Sequence, residues 1–420
     1  MRKIFWVLLF ASPHLFAQDS TLLTLEQCQE LARNNYPLLQ QKQVLDSMLQ
    51  LQVKNTNTAY LPQAELNGQA TYQSAVTEIP FKVPGINIPE FAKDQYRATI
   101  DVKQLLYDGG ATRRQRELQH IQQQTEAQRV EVELYKVKQQ VTQSYFNGLL
   151  AEEYVHAARL TQADIKQRIE RLDAGVQNGT VLPSNVDMLK AELLRSEQQE
   201  LSAAASRSAS LATLQLLTGF NTSGAIKLAM PQAVNDAGTD TLQRPELQFY
   251  RLQSASLDQQ AKLTATKPMP RVSAFVQGGY GRPGLNMLNN DFAGFYMGGI
   301  RLNWTLWNWR YNRTEQKILQ LQQRNVEQQS ASFTLNTRVQ LAQQQTEIGR
   351  LQQTLEKDGD ILVLRARVKD ASAAQLDNGV LTVHDYITDL NAVMQARVDQ
   401  STHQVQLALA RINYQLIKGY

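Results

Sequence analysis

The chain repeats the same order of features at an interval of about 200 residues. Segments of equal length lie between two prolines in each half, at residues 37–62 and 245–270, and an Asn-Gly pair follows later in each, at 178–179 and 378–379. Repetition at this interval predicts two copies of one structural unit, residues 18–220 and 244–420. Residues 221–243, rich in Gly, Asp, Asn and Thr, are the predicted linker between them.

The N-terminus has the pattern of an export signal. Arg2 and Lys3 precede an apolar stretch at residues 4–11, and small residues end the segment at Ala17. Residues 1–17 are therefore predicted to be a cleaved signal peptide. Loss of its two basic residues lowers the net charge from +4 to about +2, which is too weak to indicate a nucleic-acid partner.

Each copy contains a predicted strand hairpin, at residues 62–107 and 270–307. After Pro62 apolar residues such as Leu66 and Tyr72 alternate with polar ones, and after Pro270 the same alternation returns. This period of two predicts strands with one apolar and one wet face. Each strand is about 10 to 12 residues long, which suits a tilted strand that crosses a bilayer.

Long proline-free stretches follow both hairpins. Residues 110–177 and 310–377 carry apolar residues at spacings of three and four, which is typical of a coiled-coil helix about 95 Å long. Return helices are predicted at 184–218 and 385–417, with Ser184 and Asp187 resembling a capping box at the start of the first. Such helices are too long for a bilayer and must extend into water.

Four strands cannot close a barrel within one chain, because about eight are needed and an open edge is not tolerated in lipid. The strands must then be shared between subunits, eight from two chains or twelve from three.

Four aromatic residues lie where strand gives way to helix: Trp304, Trp307, Trp309 and the matching Tyr107. They are predicted to contact the membrane interface; the alternative is an ordinary buried aromatic cluster.

Three features together resemble TolC-type outer-membrane efflux proteins. They are the paired Asn-Gly turns, the strand exit Leu106-Tyr107-Asp108-Gly109-Gly110, and the opening run Leu25-Glu26-Gln27-Cys28-Gln29-Glu30-Leu31-Ala32-Arg33-Asn34-Asn35-Tyr36-Pro37. In place of Asp108-Gly109-Gly110, the second copy has Asn308-Trp309-Arg310, which leaves the backbone geometry there open.

The resemblance implies an α+β membrane protein in the outer membrane with a long periplasmic extension. It implies a homotrimer in which helical hairpins form an α-barrel continuous with a shared twelve-stranded transmembrane β-barrel, four strands per chain. It further implies an exit duct that passively conducts substrates delivered by an inner-membrane pump through a periplasmic adaptor protein, with outer-membrane lipid as the surrounding medium.

The resemblance also assigns residues to the hairpin tips. Adaptor contact and the closed entrance are expected at Gly179, Thr180, Val181, Gly379, Val380 and Leu381. The simpler reading is that each Asn-Gly pair only ends a helix. Asp385 matches the aspartate ring that narrows the family's pore, and Asp389 lies one turn further along the same helix; the alternative for Asp385 is helix capping.

No arrangement typical of an enzyme or a metal site occurs in the sequence. The histidines have no metal-ligand spacing, and no phosphate loop or nucleophile elbow is present. We therefore expect no catalytic residues, no cofactor and no metal. The rival hypothesis is a non-conducting periplasmic coiled-coil scaffold or adaptor protein; within the channel class, a protein-secretion duct is the second alternative.

Overall fold

The computed structural model describes residues 21–76, 92–221, 226–232, 241–287 and 289–420. The predicted signal peptide at residues 1–17 lies outside the described residues, as do parts of the predicted linker. No helix among the described residues is long and apolar enough to cross a membrane.

Helices dominate the described chain. In chain order the elements are β1 (Thr21–Leu23), α1 (Leu25–Asn35), α2 (Leu38–Asn57), β2 (Gln63–Tyr72), β3 (Asp94–Tyr107), α3 (Ala111–Gln177), α4 (Pro183–Thr218), β4 (Ile226–Leu228), α5 (Pro245–Ala265), β5 (Arg271–Arg282), β6 (Ala293–Asn303), α6 (Tyr311–Asp377) and α7 (Val383–Lys418). The long helices α3 and α6 each have 67 residues, and α4 and α7 each have 36.

The chain divides into two compact units that cut across the predicted copies. The first unit contains the described residues of Met1–Leu39, Val132–Arg244 and Leu335–Tyr420, and the second contains Gln40–Glu131 and Pro245–Thr334. Each copy contributes to both units, because strands of the two copies pair with each other in one sheet.

The first unit has a core in which α1 packs against α3. Leu25, Cys28 and Ala32 of α1 are buried together with Tyr145 and Phe146 of α3. A capping box starts α1: the Thr24 side chain accepts a hydrogen bond from the Gln27 N–H, and the Gln27 side chain accepts one from the Thr24 N–H. The apolar i, i+3, i+7 face of α1 is thereby directed into the core.

A two-stranded parallel sheet of β1 and β4 adjoins this core. The Tyr145 hydroxyl lies 2.8 Å from the Leu23 carbonyl oxygen and 2.6 Å from that of Ala229, so it shares one proton between two backbone acceptors. The predicted linker, residues 221–243, thus contains the short strand β4, which the sequence analysis did not predict. Three residues are too few to show a strand periodicity, and the pairing partner is remote in the sequence.

Cys28 is 1% exposed, and burial raises the pKa of its thiol to about 11. At pH 8 only about one thiol in a thousand is then the reactive thiolate. We expect no labelling of Cys28 by a soluble maleimide in the folded protein and complete labelling after denaturation, measured by mass spectrometry. Fast labelling of the folded protein would contradict this burial.

The second unit contains a four-stranded antiparallel sheet in the order β2-β3-β5-β6. The two hairpins meet through β3 and β5, which leaves β2 and β6 as edge strands. β6 ends at Asn303, before the residue 307 expected from the sequence, because no strand within the described residues pairs with the residues that follow.

Candidate functional site

The two helical hairpins turn through the same backbone geometry at their tips. Gly179 and Gly379 both have φ of +70°, which favours glycine. The Thr180 N–H donates to the Gly175 carbonyl and the Val380 N–H to the Gln375 carbonyl, each at 2.9 Å. The N–H groups of Gly179 and Gly379 donate to the next carbonyls along the helices, those of Val176 and Leu376. Both turns are therefore Schellman motifs.

The predicted tip residues divide into buried and exposed positions. Val181 and Leu381 are partly buried against an apolar tip core formed by α3, α4, α6 and α7. Thr180 and Val380 are exposed, and 76% of Val380 is accessible. Val181 and Leu381 therefore support the turns from within, while Thr180 and Val380 are the predicted tip residues whose side chains are available to a partner.

Helix α7 is capped by Thr382, not by Asp385. The Thr382 side chain accepts a hydrogen bond from the Asp385 N–H at 3.2 Å and donates its own proton to Asp385 Oδ2 at 2.6 Å. Asp385 lies in the first turn and is exposed, where the helix dipole stabilises its negative charge. It thus contributes to the helix start and remains accessible.

The first-copy helix starts differently from the prediction. α4 begins at Pro183, and its N-cap residue Leu182 makes no side-chain capping hydrogen bond. The capping box predicted from Ser184 and Asp187 is therefore wrong. Proline is favoured at the first helical position because its fixed φ suits the helix and it lacks the N–H that would need a partner there.

Asp389 connects two helices of the second hairpin. Its carboxylate accepts a hydrogen bond from the hydroxyl of Ser372, which is buried on α6. Asp389 is only partly exposed. Of the two carboxylates that the resemblance assigns to the entrance, Asp385 is the more exposed, whereas Asp389 is partly buried and hydrogen-bonded to the neighbouring helix.

A buried arginine next to the tip core escaped the sequence analysis. Arg168 of α3 is 8% exposed, forms an ion pair with Asp377 of α6, and lies 5.0 Å from the ring centroid of Tyr386 of α7. Burial opposes its charge, but hydrogen bonds with Asp377 and Tyr386 outweigh that effect and raise its pKa. Arg171 also reaches Asp377, at 3.2 Å. These contacts join the first helical hairpin to the second.

The spacing of apolar residues contained a signal for this cluster. Arg168 lies three residues after Ile165 and four before Leu172, within the apolar stripe of α3. A charged residue at such a position needs a partner, because an unpaired buried charge is costly. A second link between the hairpins involves Lys369 of α6, which lies 3.4 Å from Asp164 of α3.

Replacement of Arg168 by methionine removes the charge and leaves Asp377 with Arg171 alone. We expect the free energy of local opening at the tip to fall by about 2 kcal/mol, seen as faster amide hydrogen exchange in residues 165–175 and 372–390. Arg171→Met is the matched control, since Arg171 is exposed and its pair contributes about 0–1 kcal/mol. Equal effects of the two variants would contradict a special role of the buried arginine.

The four-stranded sheet of the second unit has two different faces. One face carries exposed apolar side chains, among them Leu66 (79% exposed), Tyr296 (85%) and Ile300 (72%). The opposite face is mostly polar, although Phe275, Phe295 and Met297 also belong to it. Its polar members are the following residues: Glu65, Asn67, Gln69, Arg97, Thr99, Asp101, Lys103, Gln277 and Arg301. Asp101 at its centre accepts hydrogen bonds from Asn67, Thr99 and Gln277. Such an extended exposed apolar face marks a membrane or protein contact.

The predicted interface aromatics lie at one end of this sheet. Tyr107 ends β3, and Trp304, Trp307 and Trp309 follow the end of β6. All four are exposed, Trp309 to 86%. Trp304 Nε1 donates to the Pro268 carbonyl at 3.1 Å, and the rings of Trp307 and Trp309 meet edge to face at 5.9 Å. The alternative of a buried aromatic cluster is therefore wrong for the single chain.

The turns between strand and long helix share one unusual conformation. Gly109 and Gly110 have φ of +69° and +84°, and the matching Trp309 and Arg310 have +53° and +62°. Glycine adopts these angles freely, whereas other residues lose about 1–2 kcal/mol each. In the first turn Asp108 accepts hydrogen bonds from the N–H groups of Gly110 and Thr112. The second turn keeps this geometry despite the cost.

Comparison with known proteins relates the chain to outer-membrane channels. Residues 29–220 match the model of the family described as outer membrane efflux protein. No curated protein sequence matches the chain.

Solved structures of such channels share the fold over nearly the whole chain. One is CusC, whose crystal structures concern the conformational changes that accompany folding and transmembrane channel formation. It superposes with a TM-score of 0.70 at 14% identity, over 94% of this chain and 92% of CusC. The CmeC outer membrane channel of Campylobacter jejuni gives 0.66 at 14% identity, over 94% and 85% of the two chains. The outer membrane protein VceC of Vibrio cholerae gives 0.67 at 14% identity, over 93% and 95%.

Proposed function

We propose that the chain, whose residues 29–220 match the outer membrane efflux protein family, is a member of that family, and that three copies of it form the passive outer-membrane exit channel of a tripartite export system. In this assembly the helical hairpins surround a periplasmic tunnel and the sheets form a transmembrane barrel. An inner-membrane pump delivers the substrates, and a periplasmic adaptor joins pump and channel.

The observation that carries this proposal is the open four-stranded sheet. In the part of the chain that the structure describes, β2 and β6 each have a strand partner on one side only, and one face of the sheet exposes apolar side chains. Unpaired strand edges are not stable in lipid, so the edges must be completed by other copies. Three copies supply twelve strands, with the apolar face toward lipid and the polar face toward a water-filled lumen.

Several matched features support an origin of the chain in two structural repeats. α3 and α6 have equal lengths, as do α4 and α7. The Gln104 side chain donates to the Tyr60 carbonyl at 3.4 Å, and Trp304, its counterpart, donates to the Pro268 carbonyl at 3.1 Å. The repeats would give the trimer six similar units around its axis.

The hairpin tips are the proposed periplasmic entrance and adaptor contact. The two Schellman turns hold Gly179 and Gly379 at the apex, and the exposed Thr180 and Val380 offer small surfaces for interlocking helical tips. Val181 and Leu381 contribute by holding the apex to the tip core. The links of Arg168 to Asp377 and of Lys369 to Asp164 oppose separation of the two hairpins, so their loss would favour an open entrance.

Asp385 is the proposed selectivity residue of that entrance. Three exposed carboxylates at a narrow opening would attract cations, and Asp389 would add charge one turn further along α7. The hydrogen bond from Thr382 fixes the Asp385 carboxylate without covering it.

Asp385→Asn removes the charge and keeps an oxygen that accepts the Thr382 proton. In planar bilayers we expect the ratio of cation to anion permeability to fall by about a factor of two or more. Asp258→Asn, an equal charge change on α5, which belongs to the second unit and not to the tips, is the control and leaves the ratio unchanged. An unchanged ratio in Asp385→Asn would exclude this residue from the entrance.

Membrane extraction separates the channel from the rival scaffold hypothesis. Because the apolar sheet face is proposed to contact lipid, we expect the protein to stay in the membrane pellet after washing with alkaline carbonate and to dissolve only in detergent. Release by carbonate would favour a peripheral periplasmic scaffold and contradict the channel.

A further inference from the structure

We propose a defined junction between copies of this chain: β6 of one copy pairs antiparallel with β2 of the next, Leu302 opposite Gly68 and Ile300 opposite Ala70, and Trp309 packs on Leu61 of the next copy. This inference rests on the proposed trimer and deepens it. The paired residues belong to β6 and β2, and the Trp309–Leu61 contact lies just beyond the ends of these strands.

The junction between β3 and β5 within the chain provides the template. There Val102 pairs with Val276 and Ile100 with Gly278. In the predicted repeat, β6 corresponds to β3 and β2 corresponds to β5, because Trp307 matches Tyr107 and Pro62 matches Pro270. Transfer of the β3–β5 register to β6 and β2 gives the proposed pairs.

The shorter length of β6 indicates a missing partner. β3 continues to Tyr107, because Gln104 pairs with Ala274 and Tyr107 with Val272 of β5. The corresponding residues, Trp304 to Trp307, come after the end of β6 at Asn303. A β2 strand from the next copy would extend β6 through these residues, as β5 does for β3.

The proposed register matches the chemistry of both faces. Ile300 and Leu302 would lie opposite Ala70 and Gly68 on the apolar face. On the polar face, Arg301 would lie opposite Gln69 and Asn303 opposite Asn67. A shift by one residue would place the apolar side chains of one strand beside the polar ones of the other, which the two-sided sheet does not allow.

The template also predicts which residue of the next copy contacts the turn at Trp309 and Arg310. At Gly109 an added Cβ would lie 2.3 Å from Met269 Cβ, so Met269 packs directly on this turn. The counterpart of Gly109 is Trp309 and that of Met269 is Leu61. Both side chains are exposed in the single chain, Trp309 to 86% and Leu61 to 56%. Since Trp309 has a Cβ, the junction between copies must be wider there than the one within the chain.

Paired cysteines test the register in a Cys28→Ser background. Leu302→Cys with Gly68→Cys should give covalent dimers and trimers when treated with a short bifunctional thiol reagent. Gly68 accepts a side chain, because nothing lies within 4 Å of its added Cβ. Val102→Cys with Val276→Cys is the matched positive control, which should link within one chain. Leu302→Cys with Leu66→Cys, shifted by two residues, should link at least ten times less.

The outcomes separate the register from the trimer. The register is overturned if the trimer links preferentially through the shifted pair. It is also overturned if neither pair links while the control does. In both cases the trimer itself is not contradicted. A protein that is not trimeric overturns both. Leu61→Cys with Trp309→Cys should also link between copies; absence of this link in a trimer joined at residues 302 and 68 overturns the Trp309 contact and assigns Trp309 to lipid.

Discussion

The unpaired backbone of β2 and β6 is the constraint on which the account depends. A sheet in water tolerates edges that are short, charged or covered. In lipid every unpaired N–H and C=O group costs several kcal/mol, because water is absent. A four-stranded sheet with an apolar outer face and two free edges is therefore incomplete as a membrane structure. The proposed trimer and its lumen both follow from how these edges are completed.

The helical tips raise the opposite problem, because the proposed channel entrance must be stable and yet able to open. The turns themselves satisfy their backbone hydrogen bonds through Schellman motifs and are rigid local structures. The contacts between the hairpins combine the shared apolar tip core with ion pairs centred on Arg168 and Asp377. In the proposed entrance, these contacts would have to separate for opening, whereas the hydrogen bonds of the turns would be kept.

The parts of the fold that follow local periodicity were predictable from the sequence. Proline-free stretches with spacings of three and four indicated α3 and α6, and alternation indicated the strands of both hairpins. β1 and β4 were not predictable, since each has three residues and finds its partner about 200 positions away. Arg168 was missed because its partners Asp377 and Tyr386 come from the other half of the chain. The strained backbone conformation of Trp309 was not predictable, because glycine is the residue expected at positive φ.

The most direct test of the central claim is the oligomeric mass of the protein purified from membranes, measured by light scattering with correction for bound detergent. Three chains of 47.5 kDa, each less a cleaved signal peptide of about 2 kDa, predict about 137 kDa. That mass would mean that the open edges are completed by twelve shared strands. A monomer that stays in solution without detergent would contradict the account, because its apolar sheet face would then have to be compatible with water.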